Sequence, residues 1–188
     1  MPGERGARVL LACRNQEKGR AALERLQEET GSADLHLVLG DLASFDSTRK
    51  VAAEILDRCD RLDVLVNNAA HQAVFSSLED ISAEEIDVTF RTNIYSLFYL
   101  CKAALRHMQP GATIVNSSSI NALEPSPGLL PYAVTKGAIY NFTAGLAHML
   151  AEKGIRVNGV APGPVWTPLI PSTMPEEKVK SFGGSTPL

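Results

Sequence analysis

Two hydrophobic patterns alternate along this chain: short apolar runs, and longer stretches in which apolar positions recur once per helical turn. The first run, Ala7 to Ala12 (ARVLLA), suits a strand buried on both faces. Glu17 to Glu29 is charged, with apolar breaks at Ala21, Ala22, Leu23 and Leu26, and reads as a surface helix ending at Gly31. Leu35 to Leu39 is a second strand running into Gly40-Asp41-Leu42, and Ser47 to Arg58 a second helix. Leu62 to Val66 (LDVLV) is a third strand that leads straight into Asn67-Asn68-Ala69-Ala70. Ser82 and Glu85 have the spacing of a capping box, which opens a long helix through about His107. Thr113 to Val115 is a fourth strand, ending in Asn116-Ser117-Ser118-Ser119. Ile120 to Pro131 is proline-rich and reads as a loop, followed by a helix from Tyr132 to Glu152 closed by Gly154. Ile155 to Val160 is a fifth strand, ending in Ala161-Pro162-Gly163-Pro164. Beyond Thr167, Pro168, Pro171, Pro175, Pro187 and a Gly-Gly pair predict an irregular tail with one short helix near Glu176 to Lys180.

Strands alternating with amphipathic helices imply right-handed crossovers and a parallel sheet. No internal repeat divides the chain, so one domain over residues 1–188 is the expectation, and 45% hydrophobic residues suffice to fill its core. A net charge of −3 gives no reason to expect nucleic acid or an anionic membrane as partner. No apolar run reaches transmembrane length, and Met1 to Gly6 lacks the apolar core of a secretory signal. Cys13, Cys59 and Cys101 are scattered and form no CxxC pair, which argues against a disulfide framework or a zinc site and for a reducing, cytoplasmic setting.

Ligands of a parallel sheet bind outside the carboxyl ends of its strands. The residues with chemistry fall there: Arg14, Asp41, Asn67-Asn68, Ser118-Ser119 and Pro162-Gly163. Tyr132 and Lys136 are four apart on a helix and share a face. A lysine cation beside a phenol favours phenolate, so the pair predicts a tyrosine tuned toward neutrality as a proton donor or acceptor. Ser119, at a strand end, could hydrogen-bond a substrate oxygen that gains charge. Asn93 lies in an apolar helical stretch and must find partners if buried. Each of these alone has an ordinary structural reading. His36, His71, His107 and His148 are isolated and make no metal site, Glu84-Glu85 reads as a first-turn pair, and the triple serine sits in no G-x-S-x-G turn.

Together, Asn67-Asn68-Ala69, Asn93, Ser119, Tyr132-x-x-x-Lys136 and Pro162-Gly163 resemble the short-chain dehydrogenase/reductase family in order and spacing, from about Gly6 to the C-terminus. Ser118-Ser119-Ile120, Pro125-Ser126-Pro127, Glu152 to Asn158 and Ala161 to Thr167 are similar to its glucose/ribitol dehydrogenase-like and general-stress oxidoreductase branch. The resemblance implies an α/β, three-layer Rossmann-like parallel sheet with helices on both faces. It implies hydride transfer between a nicotinamide cofactor and the alcohol or carbonyl group of a small sugar, polyol, aldehyde or ketone. Tyr132 would be the acid/base, and Lys136 would lower its pKa and bind the nicotinamide ribose. Ser119 would hold the substrate oxygen, and Asn93 a water linking Lys136 to solvent. Asp41 and Leu42 would meet the adenine, Asn68 and Ala69 the adenine-ribose side, and Pro162, Gly163, Val165 and Thr167 the nicotinamide. No acid follows the first strand, where Arg14 suits a 2′-phosphate, so the cofactor expected is NADP, with NAD as the alternative.

The chain departs from the family pattern in three places. Ala70 replaces a glycine, the glycine-rich turn with its strand is missing, and Ser185 to Leu188 stands where a further helix and strand would follow. The absent strand would sit between the first and third strands here, so two edges should face a gap. An alternative function is therefore an inactive remnant serving as a binding or dimerisation module. In the family the helices starting near Ser82 and Tyr132 form an oligomer interface, and Ile94 to Leu100 would fit that use.

Overall fold

The computed structural model describes residues 6–184, so the expectations for Met1 to Arg5 and for Ser185 to Leu188 fall outside it. Five strands alternate with helices: β1 (Val9–Cys13), α1 (Gln16–Thr30), β2 (Leu35–Leu39), α2 (Phe45–Arg58), β3 (Val64–Asn67), α3 (Ala83–Phe90), α4 (Ser96–Ala104), β4 (Thr113–Ser117), α5 (Leu130–Leu150) and β5 (Arg156–Val160). Two short helices follow, α6 (Leu169–Thr173) and α7 (Glu176–Lys180). Local chemistry sets the ends. Asn15 caps α1 by accepting from the Lys18 N–H at 2.9 Å, and Gly31, at φ 66°, closes it in the left-handed region. Ser44 caps α2, which therefore starts two residues before the predicted Ser47. Pro131 sits in the first turn of α5, where its missing N–H costs nothing, so that helix begins before Tyr132.

All strand pairs are parallel, as expected, and they form two sheets, β1–β2 and β3–β4–β5. Among the described residues β1 and β3 each keep one edge without a strand partner, at the place where the resemblance leaves a gap. The first sheet is covered on both faces. A Cβ on Gly19 of α1 would lie 2.6 Å from the Cys13 sulfur and 2.7 Å from Leu37, while on the other face Val38 is fully buried and Gly40 lies under Val51 of α2. The second sheet is covered on one face. Leu65, Ile114 and Val157 point into a core with Leu97, Cys101, Ile139 and Leu150 from α4 and α5. On the opposite face Val64 and Val66 are 53% and 58% exposed and Val160 is 48% exposed. Parallel sheets ordinarily bury both faces, and this bare valine face is the main departure from that rule.

The single helix predicted from Ser82 to His107 is interrupted. Between α3 and α4, Arg91–Tyr95 forms one π-helical turn in which Ser96 N–H bonds to the Arg91 carbonyl, five residues back. The bypassed Thr92 carbonyl accepts the Ser96 hydroxyl instead. The capping box closes only halfway: Glu85 N–H donates to Ser82 Oγ, but the Glu85 carboxylate turns to His71. Among the described residues no helix is long and apolar enough to cross a membrane.

Candidate active site

The carboxyl ends of all five strands carry the candidate residues: Arg14 after β1, Asp41 after β2, Asn68 after β3, Ser119 after β4 and Pro162 after β5. The densest cluster lies between the end of β4 and the start of α5. Lys136 is 3% exposed, and its ammonium donates to the Ser117 carbonyl at 2.7 Å while lying 5.3 Å from the centroid of the Tyr132 ring. Ser118 Oγ donates to the Lys136 carbonyl at 2.8 Å, which locks the strand end to the helix. Ser119, 7% exposed, accepts from the Asn121 N–H at 3.2 Å, and its hydroxyl lies near enough to the Tyr132 phenol to oppose the effect of burial there. Tyr132, Lys136 and Ser119 thus form one group, as expected.

Their protonation differs from the expectation. Burial raises the Tyr132 phenol above its ordinary value, and the Ser119 hydrogen bond opposes that rise. Burial pushes Lys136 down to about 8. The predicted lowering of Tyr132 by Lys136 is therefore corrected: the ammonium bonds the Ser117 carbonyl, and desolvation dominates at the phenol. The raised value keeps the tyrosine a neutral phenol at neutral pH.

Asn93, 3% exposed, sits in the π turn, and its amide is engaged on three sides. Its Oδ1 accepts from the His71 N–H at 2.7 Å, and its Nδ2 donates to the His71 carbonyl at 3.0 Å and to Thr135 Oγ1 at 2.9 Å. Thr135, fully buried, donates in turn to the Tyr132 carbonyl at 2.7 Å. Asn93 therefore clamps the chain after β3 to the helix that carries Tyr132. Sequence reasoning missed Thr135, although its place three residues after Tyr132 was a signal, since a helical hydroxyl reaches back that far. It also missed the chain Asn67 Nδ2 to Asn116 Oδ1 (2.9 Å) and Asn116 Nδ2 to Thr143 Oγ1 (3.0 Å), which joins β3, β4 and α5 through the core. Two histidines expected to be isolated are paired, His36 with Asp34 and His71 with Glu85, each at 2.7 Å. Among the described residues no group of three His, Cys, Asp or Glu is placed to hold a metal.

The remaining candidates are spread along the strand ends rather than gathered. Asp41 Oδ1 accepts from its own turn at Ala43, and Thr48 Oγ1 lies 3.5 Å from the Leu42 carbonyl. Asn68 Oδ1 accepts from Ser117 Oγ at 2.8 Å, and Ala69 beside it is exposed. Pro162, Gly163 and Val165 are exposed, Thr167 is half-buried, and Arg14 is exposed. This donor set fits a dinucleotide. The buried ammonium has hydrogens beyond the one on Ser117 for a ribose diol, and a Cβ on Gly163 would meet nothing within 4 Å, so the loop leaves room for a ring.

Comparison with known proteins places this arrangement. Residues 2–178 match the family model described as short chain dehydrogenase. The chain belongs to the short-chain dehydrogenase/reductase family. Over 148 residues it is 51% identical to the NADPH-dependent aldehyde reductase 1, chloroplastic, of Arabidopsis thaliana, covering 79% of this chain and 51% of that protein. Over 166 residues it is 48% identical to the glucose and ribitol dehydrogenase of Daucus carota, covering 88% of this chain and 57% of that one. General stress protein 39 of Bacillus subtilis is 41% identical over 183 residues, covering 97% and 64%. The chain thus spans between 51% and 64% of the length of these three relatives. Among solved structures, a short-chain dehydrogenase from Burkholderia cenocepacia in complex with NADP superposes with a TM-score of 0.82 at 29% identity, covering 93% of this chain and 70% of that one. The expected branch and the Rossmann-like α/β fold of the family are borne out by these relatives.

Proposed function

We propose that this chain carries the catalytic centre of an NADP-dependent oxidoreductase that interconverts an alcohol and a carbonyl group on a small molecule. The observation that carries the reading is the buried Lys136 ammonium held beneath the Tyr132 ring, with the Ser119 hydroxyl beside the phenol. In reduction, Tyr132 gives its phenolic proton to the substrate oxygen, and Ser119 donates a hydrogen bond to that same oxygen as its charge grows. Lys136 stabilises the phenolate left behind, and the remaining lone pair of Asn93 Oδ1 offers a water the route by which the proton is restored. The nicotinamide supplies the hydride when bound. Lys136 and the loop from Pro162 to Thr167 would hold the nicotinamide end, Asp41, Leu42, Asn68 and Ala69 the adenine end, and Arg14 the 2′-phosphate. The NADP in the Burkholderia structure and the NADPH named for the Arabidopsis relative support that choice. Unpaired thiols at Cys13, Cys59 and Cys101 support a reducing compartment. The exposed Tyr95 of the π turn, Phe98 and Tyr99 of α4 and Tyr140 of α5 support a homo-oligomeric contact along those elements.

A second reading, an inactive binding or dimerisation module, has the bare Val64, Val66 and Val160 face in its favour. Fluorescence titration with NADPH and NADH separates the two. Saturable binding that favours NADPH, reversed by Arg14→Glu, together with turnover lost in Tyr132→Phe, is the expected result for the enzyme. A folded chain that binds neither nucleotide would leave the module.

A further inference from the structure

A cleft of about 320 Å³ opens along the loop that joins Ser119 to Tyr132, near the lower end of the ~300–1,000 Å³ range of small-molecule sites. Its walls come from three segments. The first is the loop between β4 and α5. Ser119 Oγ accepts the Asn121 N–H, Asn121 Oδ1 accepts the Ser126 N–H at 2.8 Å, and Leu129 then caps α5 three residues before Tyr132. That loop therefore has the substrate-oxygen serine at one end and the proton donor at the other. The second wall is Val74, held in place by the Phe75 N–H on the Gly128 carbonyl at 2.9 Å. The third is the end of α6 and the turn after α7, which present Met174 and Phe182. A partly buried hydrogen bond from Gln72 Nε2 to Thr173 Oγ1 at 2.7 Å fastens α6 across the cleft.

The lining is apolar in its side chains, with Val74, Pro127, Leu129, Met174 and Phe182, and among the described residues it contains no charged one. Its two hydroxyls are those of Ser126 and Ser181, and Ser181 Oγ donates to the Glu177 carbonyl. The polar groups nearest to it are already used: Gln72 on Thr173, the Gly128 carbonyl on Phe75, and the Ser126 N–H on Asn121. A polyol entering here would give up several hydrogen bonds to water and find the Ser126 hydroxyl and little else in these walls to replace them. A hydrocarbon or aryl tail loses nothing and gains burial. We infer that the substrate of this site is an apolar monoalcohol or carbonyl compound, its tail lying between Val74, Met174 and Phe182, and not a sugar or polyol. The inference rests on the proposed oxidoreductase for the reaction at the polar end, but the binding of the tail stands without it.

Trp166, the sole tryptophan of the chain, packs edge-on against Phe182 with ring centroids 6.2 Å apart, so its emission reports on the cleft. The test titrates the whole chain without cofactor with 1-octanol and cyclohexylmethanol, and with ribitol and glucose at matched concentrations. Saturable changes in Trp166 emission with the two apolar alcohols, absent with the polyol and the sugar, are expected. Val74→Asp, checked for fold by circular dichroism, should weaken alcohol binding by about tenfold or more through a buried unpaired charge. Ribitol or glucose binding as tightly as octanol overturns the inference, as does an alcohol titration unchanged by Val74→Asp, which would put the binding elsewhere, or no titration at all by the folded chain. Tyr132→Phe keeps the titration, so loss of turnover in that variant bears on the enzyme reading and not on the cleft.

Discussion

Lys136→Met should make the folded chain more stable near neutral pH while removing the buried cation beside the Tyr132 ring. The lysine is 3% exposed, and burial lowers its pKa from 10.5 to about 8. At about 1.4 kcal/mol per pH unit, keeping this ammonium charged destabilises the native state by about 3 kcal/mol at pH 7. Methionine has a similar length and no charge, but it forfeits the hydrogen bond to the Ser117 carbonyl, a loss of roughly 1–2 kcal/mol. The expected net gain at pH 7 is about 1–2 kcal/mol. Between pH 8 and 10.5 the unfolded lysine holds a proton that the folded one has released, so the parent gains stability as pH rises through that window. The advantage of the variant therefore shrinks and then reverses. Urea unfolding followed by far-UV circular dichroism at pH 7 and pH 10 measures both proteins on one scale. A variant less stable than the parent at pH 7, by an amount that pH 10 leaves unchanged, would refute the desolvation argument and make the hydrogen bond to Ser117 the dominant interaction.

Three other expectations test the architecture. Asn93→Ala strands the His71 N–H and carbonyl and removes the donor to Thr135 Oγ1, and should cost roughly 1–3 kcal/mol with faster hydrogen exchange at the His71 amide. Gly19→Ala would push a methyl to within 2.6 Å of Cys13 Sγ and should lower stability by about 1–3 kcal/mol. Gly145→Ala, with nothing within 4 Å, should raise it by up to about 1 kcal/mol, and thermal melts of the pair separate packing from helix propensity. Val66→Lys, on the bare face at 58% exposure, should stay within about 0.5 kcal/mol of the parent, whereas Ile114→Ala, fully buried, should cost about 2–5 kcal/mol. Equal losses in the two, by denaturant midpoint, would mean that the valine face is covered in solution.

Hydrophobic period, caps and turn residues located the strands and helices to within a few residues, because these signals act over one or two turns of chain. The same locality made Tyr132 and Lys136 legible as a pair, since a four-residue step on a helix fixes a shared face. It also placed Arg14, Asp41, Asn68, Ser119 and Pro162 at strand ends, where a parallel sheet gathers its ligands. What local pattern does not carry is where a side chain ends up among distant neighbours. The π turn at Asn93 breaks a helix whose periodicity looks continuous, and its clamp joins residues 22 and 42 positions away. Lys136 could be expected beside the phenol, but only the packing of α5 on β4 turned its ammonium to the Ser117 carbonyl and left burial to set both pKa values. The sequence by itself determined the order of elements, the parallel sheet and which side chains are candidates for the site. The tertiary structure alone decided which sheet face stays bare, what the buried amides hold, and how apolar the cleft along the loop before Tyr132 is, because burial and electrostatics depend on segments far apart in the chain.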